Sequence, residues 1–369
     1  MKTLLAATLA ALGLSAALAP ARAQDVTVAV AGPMTGGEAT FGAQFLAGAK
    51  AAVEDINAAG GVMGKKIKLE IGDDACNPTQ AKAVAEKLAG LKVPFVAGHF
   101  CTGSSIPASK VYNEEGIIQI SPASTGTKYT DERPGPYSFR VCGRDDQQGG
   151  VAGAYLAKNF GDKKIAILHD KSAYGQGLAE ETKKAFNKAG KTEVLFDTVA
   201  KGEKDFSAVV SKLKQAGADV VYYGGYHSEA GLIIKQMRAQ GMKTILVGGD
   251  ALVSAELWQI TGDDGEGTLM TFSPDARKLP SAAALVAKFK AAGVEPEGYV
   301  LYTYAAFQTW KQAVEKAKSM KAEDVVKVLA SAEFDTAIGK YKFDKKGDPI
   351  LEDPYTFYRW SKGTYAQIN

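Results

Sequence analysis

Residues 26–58 read VTVAVAGPMTGGEATFGAQFLAGAKAAVEDINA, and this stretch decides the fold. Val26–Ala31 is a short apolar run rich in β-formers. Gly32-Pro33 stops it, and a glycine-rich loop follows. Thr40–Ala58 then predicts a helix with Phe45, Ala49, Ala52, Val53 and Ile56 on one face. Ala59-Gly60-Gly61 ends that helix. The strand does not alternate between apolar and polar residues, as expected for a strand buried on both faces of a parallel sheet.

The same unit repeats outward from this start. Strands are predicted at Ile67–Gly72, Pro94–Gly98 and Ile117–Ser121, with helices at Pro78–Leu91 and Ser104–Glu115 between them. After Tyr137–Cys142 a second series begins. It alternates helices Gln147–Asn159, Gly177–Ala189, Ser207–Ala216 and Glu229–Gln240 with strands Lys164–His169, Glu193–Val199, Asp219–Tyr223 and Thr244–Gly248. Helices Ser281–Ala292 and Tyr302–Lys318 follow. Lys340–Phe343 and Tyr355–Trp360 read as two short strands around a Lys-Gly-Asp-Pro turn. The fold class is therefore α/β, with two doubly wound lobes. No low-complexity linker separates them.

The N-terminus carries a targeting pattern. Lys2 precedes the apolar run Leu4–Ala19, and Ala21-Arg22-Ala23 fits a small-x-small site. Residues 1–23 are expected to be an export signal cleaved after Ala23. Gly13, Ser15 and Pro20 interrupt the run, which is short for a membrane span. Of 44 Lys and Arg, two fall in this leader, leaving 42 against 41 acidic residues. That near-neutral balance argues against a nucleic-acid partner, which needs a concentrated basic face. Of the three cysteines, Cys76 and Cys101 both follow predicted strand ends and could meet at one sheet edge. An oxidising compartment permits such a bond. Cys142 reads as a small buried apolar residue.

Motifs for catalysis are sparse. His99, His169 and His227 stand apart in the sequence, and there is no His-Glu-x-x-His, Cys-x-x-Cys or Gly-x-Ser-x-Gly. Gly60–Lys65 lacks phosphate-loop spacing, and Gly175-Gln176-Gly177 lacks a third glycine. Asp73-Asp74 sits at a strand end, where adjacent side chains face opposite ways; surface or capping roles suit it better than a metal. No cofactor is implied. In open α/β sheets ligands sit beyond the carboxyl ends of the strands. Four loops occupy such ends: Gly98–Ser105, Ser121–Thr127, Gly224–His227 and Gly248–Ala251. Two are rich in small hydroxyl residues. These either cap helices or offer hydroxyls and N–H groups to an anion. Tyr174, Tyr226 and Asp250 stand in the facing loops. An anion cradle on one lobe and a carboxylate on the other suit a zwitterion.

Several segments, in order and spacing, carry a family resemblance across essentially the whole chain after the leader. They include Asp73-Asp74-Ala75-Cys76, Gly98-His99-Phe100-Cys101, Ser121-Pro122-Ala123-Ser124-Thr125, His169-Asp170-Lys171 and Tyr174-Gly175. Gly202-Glu203-Lys204-Asp205-Phe206, Tyr222–His227 and Thr303-Tyr304-Ala305-Ala306 complete the set. The chain resembles the Leu/Ile/Val-binding periplasmic proteins of branched-chain amino-acid ABC transporters. The resemblance implies a type I periplasmic binding protein fold, its lobes joined by a three-strand hinge near Arg144, Thr271–Pro274 and Glu352–Thr356. The N-terminal lobe would be 24–144 with 274–353, and the C-terminal lobe 145–273 with 354–369. It implies a Cys76–Cys101 disulfide and, as partner, an inner-membrane permease with its ATPase.

The resemblance also implies site roles. Thr102, Ala123 and Thr125 would hold a ligand carboxylate. The Ala123 carbonyl, Tyr226 and Asp250 would receive its ammonium, and Phe41, Tyr174 and Tyr299 would line the side-chain pocket. The chain departs from the family's best-known members in having Asp250 for Glu and Phe41 for Tyr. Asp is shorter by about 1.5 Å of reach, so the ammonium must sit deeper or a water must bridge. These departures leave open a wider aliphatic range or an aromatic amino acid. The same fold with another ligand, such as a short amide, urea or an aromatic acid, is the alternative, but a ligand without an ammonium gains nothing from Asp250 and leaves a carboxylate buried and unpaired, which is costly. A sensor role at a chemoreceptor is compatible with the same fold. A secreted hydrolase or dehydrogenase lacks its motifs here.

Overall fold

The protein is described from a computed structural model covering residues 25–368. The export signal read at 1–23, with its cut after Ala23, lies outside the described residues. The first sheet is parallel and contains β1 (Val26–Gly32), β2 (Ile67–Asp73), β3 (Phe95–Gly98), β4 (Ile118–Ser121) and β5 (Ser138–Arg140). Its strand order is β2-β1-β3-β4-β5. The second holds β6 (Ile165–His169), β7 (Leu195–Thr198), β8 (Val220–Gly224), β9 (Ile245–Gly248) and β10 (Leu269–Phe272). Read from β7, these run β7-β6-β8-β9-β10, so the second sheet repeats the winding of the first. A hairpin of β11 (Glu333–Thr336) and β12 (Gly339–Lys342) stands apart. β13 (Thr356–Ser361) and β14 (Thr364–Ile368) extend the second sheet antiparallel, beyond β10.

In each sheet the order reverses direction beside the first strand, between β1 and β3 and between β6 and β8. Such switch points open a crevice at the carboxyl ends of the strands. The central strands are buried on both faces. The edge strands β2 and β7 are not: Lys68, Ile71 and Phe196 reach solvent. The helix Ala39–Ala58 packs on Val300–Ala317. Their approach needs Gly48, where a Cβ would lie 2.3 Å from the Val300 carbonyl oxygen. Phe95 stacks on Trp310 at 5.0 Å in the same core. The chain passes between the sheets after β5, after β10, and between β12 and β13.

The tail departs from the sequence reading. Lys340–Phe343 and Tyr355–Trp360 do not form a pair: β12 joins β11, while β13 joins β10 and β14. The intervening segment, with Pro349 and Pro354, carries the chain from one sheet to the other. The helix predicted from Gln147 begins at Asp145, because the Arg144 backbone N–H is capped by the Gln147 side chain. Among the described residues no helix is long and apolar enough to cross a membrane.

Candidate functional site

On the first lobe, the loops after β3 and β4 are tied to each other. Cys76 and Cys101 form a disulfide, with Cα atoms 5.5 Å apart, and Cys142 is free and buried. His99 is not isolated in space: Nδ1 lies 2.5 Å from Asp74 Oδ2, and Nε2 lies 3.0 Å from the Tyr112 hydroxyl. Asp73 takes the N–H groups of Met34 and Ala75 and the Thr35 hydroxyl. Both carboxylates therefore brace loops. The Ser121 hydroxyl donates to the His99 carbonyl at 2.7 Å and accepts the Ser124 N–H at 2.8 Å. Ser124 donates to the Phe100 carbonyl at 2.9 Å and meets the Ser105 hydroxyl at 2.6 Å. These serines are consumed in holding the loops together.

Ser104 Oγ is buried without a partner among the described residues, and the hydroxyls of Thr102 and Thr125 also remain. Thr102 Oγ1 accepts the Gly126 N–H at 3.1 Å, which leaves its own proton available. Thr125 Oγ1 is buried without a partner among the described residues. Both belong to the anion cradle read from the sequence.

On the second lobe, Ser172 caps the helix Ala173–Lys188 by accepting the Gly175 N–H. That helix presses close to β8: a Cβ on Gly224 would lie 2.1 Å from the Gly175 carbonyl oxygen. The approach sets Tyr174 beneath Asp250. Asp250 follows β9 and opens a short 3-10 turn. It does not cap the next helix, Ala255–Thr261, which Ser254 caps instead. The Asp250 carboxylate accepts hydrogen bonds from Tyr174 Oη at 2.8 Å, Gln148 Nε2 at 2.9 Å, and the Tyr299 hydroxyl from the other lobe. Burial raises its pKa above the usual carboxylate value, and these donors oppose the rise. Asp145 is also buried, and neither of its oxygens has a partner among the described residues. Burial first, then the charge of Asp250, lifts its pKa well above the ordinary range.

Phe100, Thr102, Ala123, Tyr174, Tyr226, Asp250 and Ala251 border a narrow gap between the lobes. The Tyr299–Asp250 contact pinches it to about the room that one water needs. Five of the residues named from sequence thus border one small space, drawn from both lobes. Thr125 stands beside it, next to Thr102 through Gly126. Phe41 is set one layer back, stacked on Phe100 at 4.2 Å. Tyr299 closes one side, 5.7 Å from Phe100 and 6.3 Å from Phe41. Sequence reasoning missed Phe100, Ala251 and Gln148 as site residues. Phe100 and Ala251 lay within the strand-end loops, whereas Gln148 reaches in from a helix and carried no signal. Further contacts bridge the lobes around the space. Lys201 pairs with Glu38 at 3.1 Å and lies over the Tyr226 ring at 4.6 Å; Thr40 meets Ser254 at 2.9 Å. Among the described residues no group of three or more His, Cys, Asp or Glu side chains is placed to hold a metal.

Two repeated α/β lobes, a triple crossing and a small polar space between strand ends define a cleft-type solute receptor. The chain belongs to the family described as periplasmic binding protein, whose profile matches residues 25–364. It is 51% identical over 347 residues to a Leu/Ile/Val-binding protein homolog 1 of Brucella suis, covering 94% of this chain and 93% of that protein. Its fold superposes on a leucine binding protein, LivK, of Thermotoga maritima with TM-score 0.86 and 26% identity, covering 93% of this chain and 98% of that one. It also superposes on the branched-chain amino acid transporter substrate binding protein LivJ of Streptococcus pneumoniae in complex with isoleucine. There the TM-score is 0.83 at 25% identity, covering 93% of this chain and 99% of that one.

Proposed function

We propose that this protein is the periplasmic receptor of an ATP-driven importer and that it captures a branched-chain amino acid by lobe closure, without catalysing a reaction on it. The observation that carries the reading is the chemistry of the space between the lobes. Thr102 borders it from one lobe, with the Thr125 hydroxyl unpartnered among the described residues nearby, and the buried Asp250 carboxylate borders it from the other. A zwitterion satisfies both, and neither lobe alone supplies the set. The names of the relatives point the same way. The aromatic walls of the gap favour an apolar side chain.

In this reading Thr102, Thr125 and Ala123 take the carboxylate. The Ala123 carbonyl, Tyr226 and Asp250 take the ammonium, and Phe41, Phe100, Tyr174 and Tyr299 border the side chain. Residues 24–144 with 274–353 form one lobe and 145–273 with 354–369 the other, swinging on the three crossings. The leader is removed after Ala23, and the closed form docks on a membrane permease with its ATPase.

A thermal-shift screen over the twenty amino acids, short amides and aromatic acids tests this. Leucine, isoleucine or valine at about 100 times its dissociation constant should stabilise the fold by about 2.7 kcal/mol. Stabilisation by benzoate or an amide alone, with no amino acid active, would remove the amino-acid reading.

A further inference from the structure

Arg140 is fully buried on β5, behind the Ser121–Thr127 loop. A buried guanidinium is costly unless its donors are matched, and here they are. Nε donates to Asp348 Oδ1 at 2.6 Å, Nη1 to the Ser124 carbonyl at 2.6 Å, and Nη2 to the Gly126 carbonyl at 3.0 Å and to Thr130 Oγ1 at 2.6 Å. Asp348 is held in turn by Arg144, at 2.7 Å, and by Thr130. Ion pairing thus ends on two backbone carbonyls of the loop assigned to the ligand's carboxylate.

The geometry of a peptide unit gives this grip a consequence. In a trans peptide the carbonyl of one residue and the N–H of the next point in opposite directions. Fixing the Ser124 carbonyl toward Arg140 therefore turns the Thr125 N–H away from it, in the loop whose Ala123 borders the free space. Neighbouring groups are already engaged: the Thr125 carbonyl accepts the Asp145 N–H at 2.9 Å, and the Gly126 N–H goes to Thr102. Among the described residues, the Thr125 N–H has no acceptor. A cation drawing on the carbonyl also polarises the N–H of the same unit, as in any chain of hydrogen bonds.

We infer that Arg140 is a positioning residue for the ligand's carboxylate: gripping the Ser124 and Gly126 carbonyls from behind, it aims and polarises the Thr125 N–H as an anion donor. The inference rests on the amino-acid reading above. Calorimetry with leucine and with leucine amide, which keeps the ammonium and loses the anionic charge, tests it on the full exported chain. The unaltered protein should prefer leucine. Arg140→Lys keeps the charge and loses the fork. It should shrink that preference by about tenfold or more, with the affinity for leucine amide held within about threefold. Asp348→Asn, which unties the guanidinium, should act in the same direction. Equal losses for both ligands would make Arg140 a structural residue only and overturn the inference. Should either variant fail to fold, the unaltered protein decides. Its Thr125 amide proton should move downfield with leucine and not with leucine amide, and an unmoved resonance overturns the inference. An unaltered protein that binds no amino acid fails at the earlier step and removes the function proposed above.

Discussion

Replacing Asp250 with asparagine separates its charge from its shape. The amide oxygen can keep the hydrogen bonds from Tyr174 and Gln148, and the Tyr299 phenol can accept from the new NH2 group. Because burial already disfavours the ionised carboxylate, removing the charge should leave stability at pH 7 unchanged or slightly higher. Alanine would be a poorer probe. It would orphan all three donors, at about 1–3 kcal/mol for each that stays dry.

Ligand binding should respond in the opposite way. Asp250 is the buried carboxylate that borders the free space, so an ammonium bound there would lose its counter-ion. Truncating one side of a buried, hydrogen-bonded charge pair costs about 2–5 kcal/mol, or roughly 30-fold to several thousandfold in affinity for leucine. Titration calorimetry at pH 7, with a melting curve of the same sample, reads both quantities. N-acetyl-leucine, which has no ammonium, serves as the control whose weak affinity should not fall further. The sign with pH follows. The raised carboxyl of the free protein must be ionised to pair, so affinity should drop as pH falls through its pKa, and the asparagine variant should lack that limb. A leucine affinity within threefold of the original, in a variant of normal stability, would refute the counter-ion role.

Thr125→Val should lower leucine affinity by about 10- to 150-fold, through the loss of a hydroxyl to a charged group. It should leave the melting temperature nearly in place, since Oγ1 has no hydrogen-bond partner among the described residues; calorimetry and a melt check both. Asp170 is pushed up to about 6, chiefly by burial, so the folded protein holds a proton that the unfolded chain releases above about pH 4. Stability should fall by about 3 kcal/mol between pH 4 and 6 from this group. Asp170→Asn, in urea melts across that range, should abolish the fall and gain stability at pH 7. Opening the Cys76–Cys101 bond with Cys76→Ser/Cys101→Ser should cost roughly 3–4 kcal/mol for a separation of 25 residues by the chain-entropy model, visible as a lower urea midpoint. Small-angle scattering should show a smaller radius of gyration with leucine than without, and Lys201→Met, which breaks the pair to Glu38 across the lobes, should shift the free protein toward the larger value.

The legible part of the fold was the part set by local pattern. Val28–Ala31, Ile165–Leu168 and Val220–Tyr223, the cores of three predicted strands, are apolar throughout because helices cover both faces of their sheets, and each lies where a strand is found. The unread part was set by distant partners. Glu333–Thr336 alternates too briefly to stand out, and becomes a strand because β12 returns against it. Thr364–Ile368 buries none of its residues and owes its state to pairing with β13 at the end of the sheet. The tail was misread because a turn sequence such as Lys346-Gly347-Asp348-Pro349 marks a reversal of the chain without naming the strand it returns to. Here Asp348 is instead bound to Arg140 and Arg144, far back in sequence.

The site divides along the same line. Thr102, Ala123, Tyr226 and Asp250 could be located because a doubly wound sheet sends its ligand to the strand ends, and each stands just past one. What sequence could not say was which hydroxyls were free. Ser105, Ser121 and Ser124 have the same chemistry as Thr102 and Thr125, yet they are spent on the His99 and Phe100 carbonyls and on one another. The distinction depends on where β3 and β4 place their loops, across some twenty residues of chain. Gln148 and Arg140 were invisible for the related reason that they act from behind. One braces Asp250 from a helix, and the other grips loop carbonyls from the neighbouring strand. Residues that touch a ligand lie where topology puts ligands, whereas residues that aim them lie wherever the packing leaves a buried donor within reach. For that second group a sequence offers only the oddity of an arginine within a short strand, as in Ser138–Arg140.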